Sequence, residues 1–193
     1  MKKVFLAVCL SAALSVAAGV KIAVVDMHRV FKEYYKSRIA EEFIRQQAEA
    51  AKVYLGQLNQ QLESLRSQAR KTGTDALNQA LDESSRDKLR RESDSLLRKI
   101  KAKEAEIELF SRERMRDIQA LEEKKRSEII QDIKSGIARR AAAEGYTHVF
   151  DSSGMTNNNQ PAILHFPANC DISNAVIREL NRSAVKPVNG GAR

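Results

Sequence analysis

The chain has 193 residues, of which 30% are charged and 5% aromatic, with no tryptophan and a formal net charge of +8. That composition excludes an aromatic-rich globular enzyme core and suits long polar helices or a coiled coil. The basic balance points to acidic polypeptides or an anionic membrane surface as partners.

Residues 1–18 read as a cleaved secretory signal. Lys2 and Lys3 form the charged start, Val4 to Leu14 the apolar run, and Val16-Ala17-Ala18 the small-residue site before Gly19. The apolar run falls short of the ~20 residues that span a bilayer. Export to the periplasm, or to an equivalent space, follows, and it weighs against nucleic acid as a partner. Loss of Cys9 with the signal leaves Cys170 alone, so no intrachain disulfide is expected. Cys170 is read as a small buried side chain beside Ile172.

Val20 to Asp26 reads as a strand of β-branched residues, with Asp26 placed to cap a helix beginning at Met27. From Met27 to Glu144 there is no proline, and the glycines are Gly56, Gly73 and Gly136. Both residue types are costly in helix interiors, so the stretch reads as two antiparallel helices with a turn near 72–84. Phe31, Tyr34, Tyr35, Ile39 and Phe43, at helical spacing, are expected to pack against the base. Ile44, Ala48, Ala51, Leu55, Leu58, Leu62, Leu65 and Ala69 form a heptad seam. The second helix keeps another period, with Leu96, Ile107, Ile118 and Ile129 each 11 apart and Phe110 and Leu121 as a parallel pair. An 11-residue repeat asks for little or weakly right-handed supercoiling, so the two helices cannot share one regular left-handed coil. A tight seam near the turn and looser packing further away are expected.

Ser84-x-x-Asp87 reads as a capping box opening the second helix, and Gly145 as the residue that closes it. Tyr146 to Asp151 reads as a second strand, Ser152 to Gln160 as a polar loop, and Ala162 to Phe166 as a third strand stopped by Pro167. Ser173 is expected to cap a last helix with Ile172, Val176, Ile177 and Leu180 on one face. Residues 183–193 read as a disordered tail.

The domain organisation expected is therefore a signal (1–18), a small β/α body (19–26 with 145–182), a helical hairpin (27–144) and the tail. The fold class is mainly α with a small β body from which a long antiparallel helical hairpin projects. Three short strands leave open edges and too little core to stand alone, which joining the sheets of several chains would remedy. Ile22, Val24, Val149, Ile163, Leu164 and Phe166 are the expected oligomerisation residues.

No catalytic constellation stands out in the sequence. His28, His148 and His165 lack metal-ligand spacing, Cys170 with His165 and Asp171 are neighbours that seldom form a nucleophile set, and there is no phosphate-binding glycine loop. No cofactor, no metal and no enzyme activity are expected. The positive signal is a basic distal end: Arg66, Arg70, Lys71, Arg86, Lys88, Arg90 and Arg91, partly offset by Asp75, Asp82, Glu83 and Asp87, with Arg98, Lys99, Lys101 and Lys103 following. One reading is a solvated face with i,i+4 pairs. The other is a tip that captures acidic unfolded chains or touches anionic lipid, in a step screened beyond about 8–10 Å at physiological salt.

The exported start, the junction Lys21 to Asp26 followed by Val30-Phe31, the stretch Leu81 to Leu89, and Asp171-Ile172-Ser173-x-x-Val176 with Leu180-Asn181 together resemble the Skp/OmpH family of periplasmic chaperones. The likeness spans the mature chain in order, although Ser152–Gln160 is longer than the family pattern. It implies a homotrimer whose strands complete a β-barrel-like base and whose helical tentacles enclose a cavity. It also implies an ATP-independent holdase for unfolded outer-membrane or envelope proteins. A coiled-coil spacer or tether in the cell envelope is the alternative, and it requires rigid arms with specific end contacts.

Overall fold

A computed structural model describes residues 19–185. The expected signal and residues 186–193 of the expected tail lie outside them. The chain is mainly helical and its sheet has two strands. β1 (Ile22–Val25) leads into α1 (Met27–Glu33) and α2 (Tyr35–Asp75). After a turn come α3 (Glu83–Glu144), β2 (His148–Asp151) and α4 (Ser173–Asn181). β1 and β2 pair in parallel, in the register Ile22 to His148 and Val25 to Asp151. At 1.5 Å per residue α3 is about 93 Å long and α2 about 62 Å, so α3 reaches past α2 into the body.

The helix ends follow local chemistry. Asp26 caps α1, its carboxylate accepting from Arg29 N–H at 2.8 Å. The next orphan donors of α1 are met by the end of β2: Met27 N–H donates to Asp151 Oδ1 at 3.1 Å and His28 N–H to Ser153 Oγ at 3.1 Å. The start of the arm is thereby tied to the second strand. Gly145 closes α3 at φ 72, the left-handed conformation that glycine adopts without Cβ strain.

The body's core gathers Ala23 and Val25 of β1, Val30 of α1, Tyr34, Ile129 and Ile133 of α3, and Ile172, Val176, Ile177 and Leu180 around α4. Val176, Ile177 and Leu180 fall on one face with Ser173, as their spacing dictates. Full burial of side chains such as Ile133 and Val176 contributes about 1.5–3 kcal/mol each. The arm is less well packed. Leu58, Leu62, Ala69 and Ala76 are buried against α3 near the turn, as is Leu96 on the other side. Between Leu97 and Glu128 nothing on α3 is buried, and Ala48 of the heptad seam is exposed. Two repeats of different period meet along that stretch, and the seam residues there, Ile44, Leu55, Ile107 and Ile118 among them, are half-buried rather than buried.

Five expectations are corrected. The first helix is not continuous, because Tyr34 takes an extended conformation (φ −72, ψ 128) and divides α1 from α2. Residues 162–166 form no strand, since they find no ladder partner within the chain. α3 is capped by Asp82 rather than Ser84, with Ser85 N–H donating to Asp82 Oδ1 at 2.9 Å. Ser173 does not cap α4; its hydroxyl turns to β1 and accepts from Asp26 N–H at 2.9 Å. Cys170 is half-buried rather than buried.

The polar stretch after β2 is also folded. Thr156 N–H donates to Gln160 O and Ala162 N–H to Gly154 O, both at 2.8 Å, around a tip where Asn159 takes φ 57. The first residues of the expected tail lie in a short 3-10 turn, Arg182–Val185.

Two of the arm's three glycines should answer oppositely to substitution. A Cβ on Gly136 would fall 2.8 Å from Leu180 Cδ2, whereas one on Gly56 meets nothing within 4 Å. Gly136→Val should cost about 1–3 kcal/mol through overpacking. Gly56→Ala should gain about 0.5–1 kcal/mol from backbone entropy. Thermal unfolding followed by circular dichroism checks both.

Candidate functional site

The surface available to a partner has three parts: the distal end of the arm, its exposed apolar side chains and the outer face of the body. At the distal end, three of the seven singled-out cations are engaged. Arg66 crosses the arm, 2.8 Å from Glu63 and 2.7 Å from Glu104. Arg90 meets Glu83 at 3.0 Å and Asp87 at 2.7 Å, and Arg86 pairs with Glu83. These carboxylate bonds hold the Arg66 and Arg90 guanidiniums above their ordinary pKa. Arg70, Lys71, Lys88 and Arg91 are exposed and have no ion-pair partner among the described residues. Of the following cluster, Arg98, Lys99 and Lys101 are exposed, while Lys103 is half-buried against Glu106 at 2.6 Å. Leu77, 78% exposed, stands at the turn between the two helices.

Along the arm, large apolar side chains lie open on an otherwise polar rod: Ile39, Phe43, Val53 and Tyr54 on α2, and Leu97, Leu109 and Met115 on α3. Tyr54 packs on Phe110 with ring centroids 4.8 Å apart, and the Arg114 guanidinium lies 5.6 Å from the Phe110 ring. Ile39 and Phe43 were expected in the base with Phe31, Tyr34 and Tyr35. The break at Tyr34 resets the helical phase, so after it Ser37 and Ala40, rather than Ile39 and Phe43, turn inward.

At the arm's root a groove of about 1270 Å³ has an apolar floor that includes Phe31, Ile44, Ile129, Ile130 and Ile137. A smaller one of about 380 Å³ flanks it, between Ile39 and Phe43 of α2 and Ile129 of α3. Beside the smaller groove Lys36 Nζ sits 2.5 Å from Asp132, and the buried Tyr34 hydroxyl donates to the same carboxylate at 3.5 Å. Burial pushes the Tyr34 phenol up, and the bond to Asp132 pushes the Lys36 ammonium up.

On the body, the expected oligomerisation residues divide by strand period. Ala23 and Val25 face the core together with Val149, whereas Ile22 and Val24 share the other sheet face with His148 and Phe150. Ile22 and Phe150 are exposed on that face, and the His148 ring stacks on Phe150 at 6.2 Å. Val24 is buried. Ile163 and Phe166 are half-buried, and Leu164 is 85% exposed. β2 pairs with β1 alone, so its outer edge is open. Sequence reasoning missed Phe150 and Leu77; an apolar residue in the polar phase of a strand, or alone in a turn, was the available signal.

No group of three or more His, Cys, Asp or Glu residues is placed to hold a metal ion among the described residues. No helix among them is long and apolar enough to cross a membrane.

Comparison with known proteins gives a family and a fold. The family model described as "Outer membrane protein (OmpH-like)" matches residues 21–180. No curated protein matches in sequence. Among solved structures, the chain is similar to a candidate outer membrane chaperone (OmpH-like) from Caulobacter crescentus CB15. The TM-score is 0.66 at 13% identity, over 84% of each chain. That likeness is one of fold.

The Tyr34 and Lys36 protons are both held more tightly in the folded chain than in the unfolded one. Their stabilisation is complete below the unfolded values, near 10, and is lost as pH rises through the folded values. Melting temperature should therefore fall above pH about 10. The stability margin of the native chain over Tyr34→Phe should shrink across that window, as measured by melts at stepped pH.

Proposed function

The chain belongs to the OmpH-like family, and on that premise we propose that it is an ATP-independent periplasmic holdase for unfolded outer-membrane or envelope proteins. The observation that carries the reading is a long polar rod bearing separate, exposed, large apolar side chains such as Phe43, Tyr54, Leu109 and Met115. Scattered contacts of this kind suit a non-native chain with no fixed shape, and Met adapts readily to varied surfaces. Arg70, Lys71, Lys88 and Arg91 lie where an approaching acidic segment or an anionic lipid headgroup meets them first, and they speed the encounter. Client held by the arms is withdrawn from aggregation by mass action, so no nucleotide step is required.

Assembly into a homotrimer is part of the proposal. The open edge of β2, the exposed Ile22 and Phe150 beside it, and the extended 162–166 segment with its exposed Leu164 support subunits meeting through their bodies. A partner's strand edge supplies the ladder that residues 162–166 lack within one chain, and a closed ring of such pairings leaves no edge exposed. The arms then project together around a shared space.

The test dilutes a urea-unfolded outer-membrane β-barrel protein into buffer without nucleotide and follows light scattering. One trimer per client should suppress aggregation; no suppression at that ratio overturns the reading. Replacing Arg70, Lys71, Lys88 and Arg91 by Glu should slow capture at low salt by about ten-fold or more, a difference that high salt should erase. Sedimentation equilibrium should give three times the subunit mass, and a monomer would refute the assembled body.

A further inference from the structure

Two consecutive residues at the end of α4 touch the roots of both arm helices. Leu180 lies against Gly136 of α3, so close that a Cβ at position 136 would fall 2.8 Å from its Cδ2. Asn181 sits at the break between α1 and α2. Its Oδ1 accepts from Tyr35 N–H at 2.9 Å, and its Nδ2 donates to Glu33 O at 3.0 Å. In an unbroken helix Tyr35 N–H would donate to Phe31 O, and Glu33 O would accept from Ser37 N–H. Here Ser37 N–H donates to Tyr34 O at 3.0 Å instead, and no side chain of the N-cap residue Tyr34 serves α2. One amide, with a donor and an acceptor on the same carbon, takes up two of the groups freed by the break, one on each side of it.

We propose that Leu180 and Asn181 form a clamp that pins both helices of the arm to the body and so sets the arm's stiffness. Two rods packed side by side bend readily only when one slides past the other. α3 is fixed along its axis, because it continues into the body and Leu180 closes over Gly136. α2 begins at the break, and without Asn181 its root keeps only the exposed Lys36–Asp132 pair and the packing of Ala40 to resist slipping along α3. With both roots held, bending is confined to the loosely packed middle of the arm, where no residue from Glu41 to Gln57 of α2 is buried. Asn181 is a positioning residue, and its role stands whether or not the arm holds clients.

Nitroxide labels at Lys52 on α2 and Arg178 on α4, both exposed positions, read the motion directly. They are placed in the full chain with Cys9 and Cys170 replaced by Ser, diluted into excess unlabelled chain so that measured pairs are intramolecular. Asn181→Ala should at least double the width of the distance distribution, with helix content and solution mass unchanged. Asn181→Asp, which keeps the acceptor and loses the donor, should fall between. An unchanged width in folded Asn181→Ala overturns the clamp. If that variant does not fold, hydrogen exchange on the unaltered protein decides. The clamp requires a Tyr35 amide protected to the same degree as that of Val30, and exchange at the open-chain rate refutes it.

Discussion

Everything between Asp26 and Thr147 is an excursion out of one parallel strand pair, and the geometry of that pair constrains the rest of the molecule. Two four-residue strands supply few ladder bonds, so the chain reinforces the junction with side chains. Asp151 and Ser153, at the end of β2, satisfy the first donors of α1, and Ser173 of α4 bonds to Asp26 at the end of β1. The same few residues therefore close the sheet, start the arm and seat the last helix. Each hydroxyl or carboxylate in this group serves as the partner of a backbone N–H; Ser173 is the fully buried one, and an unmet donor in such a place would cost about 1–3 kcal/mol.

The arm shows how the period of a sequence becomes a mechanical property. A heptad seam on α2 and an 11-residue repeat on α3 agree near the turn, where Leu58, Leu62 and Leu96 are buried. They disagree further down, and there the seam residues Ile44, Leu55, Ile107 and Ile118 are only half-buried. The open apolar side chains, such as Phe43, Val53, Leu109 and Met115, lie outside both repeats. Loose packing comes from the mismatch of the repeats, and apolar surface for weak contact from the residues between them.

The helices, their closing Gly145, the cap at Asp26 and the apolar face of α4 were legible because each depends on residues a few positions apart. What was not legible depends on distant partners. The break at Tyr34 has no proline or glycine to announce it; its stabilising amide arrives from Asn181. Residues 162–166 have strand composition, but a strand exists only beside another. Ser173 has the chemistry of a cap and uses it on β1. Asp82 and Ser84 are both competent to start α3, and nothing local ranks them. In the candidate site, the seven distal cations were identifiable as a group, whereas their division into paired and unpaired members followed only from which carboxylates the helix geometry brings near. Ile39 and Phe43 were placed in the base because the helical period was carried across a break that resets it.

The two halves of the arm are continuous in sequence with opposite members of the strand pair, α2 with β1 and α3 with β2, and they are held together both at the seam and at the root. A cut in the turn between Asp75 and Glu83 would thus separate the polypeptide without separating the particle. Each fragment would keep one strand, one long helix and its share of the core. The covalent turn, the part of the molecule furthest from its body, is the link whose loss the fold tolerates best.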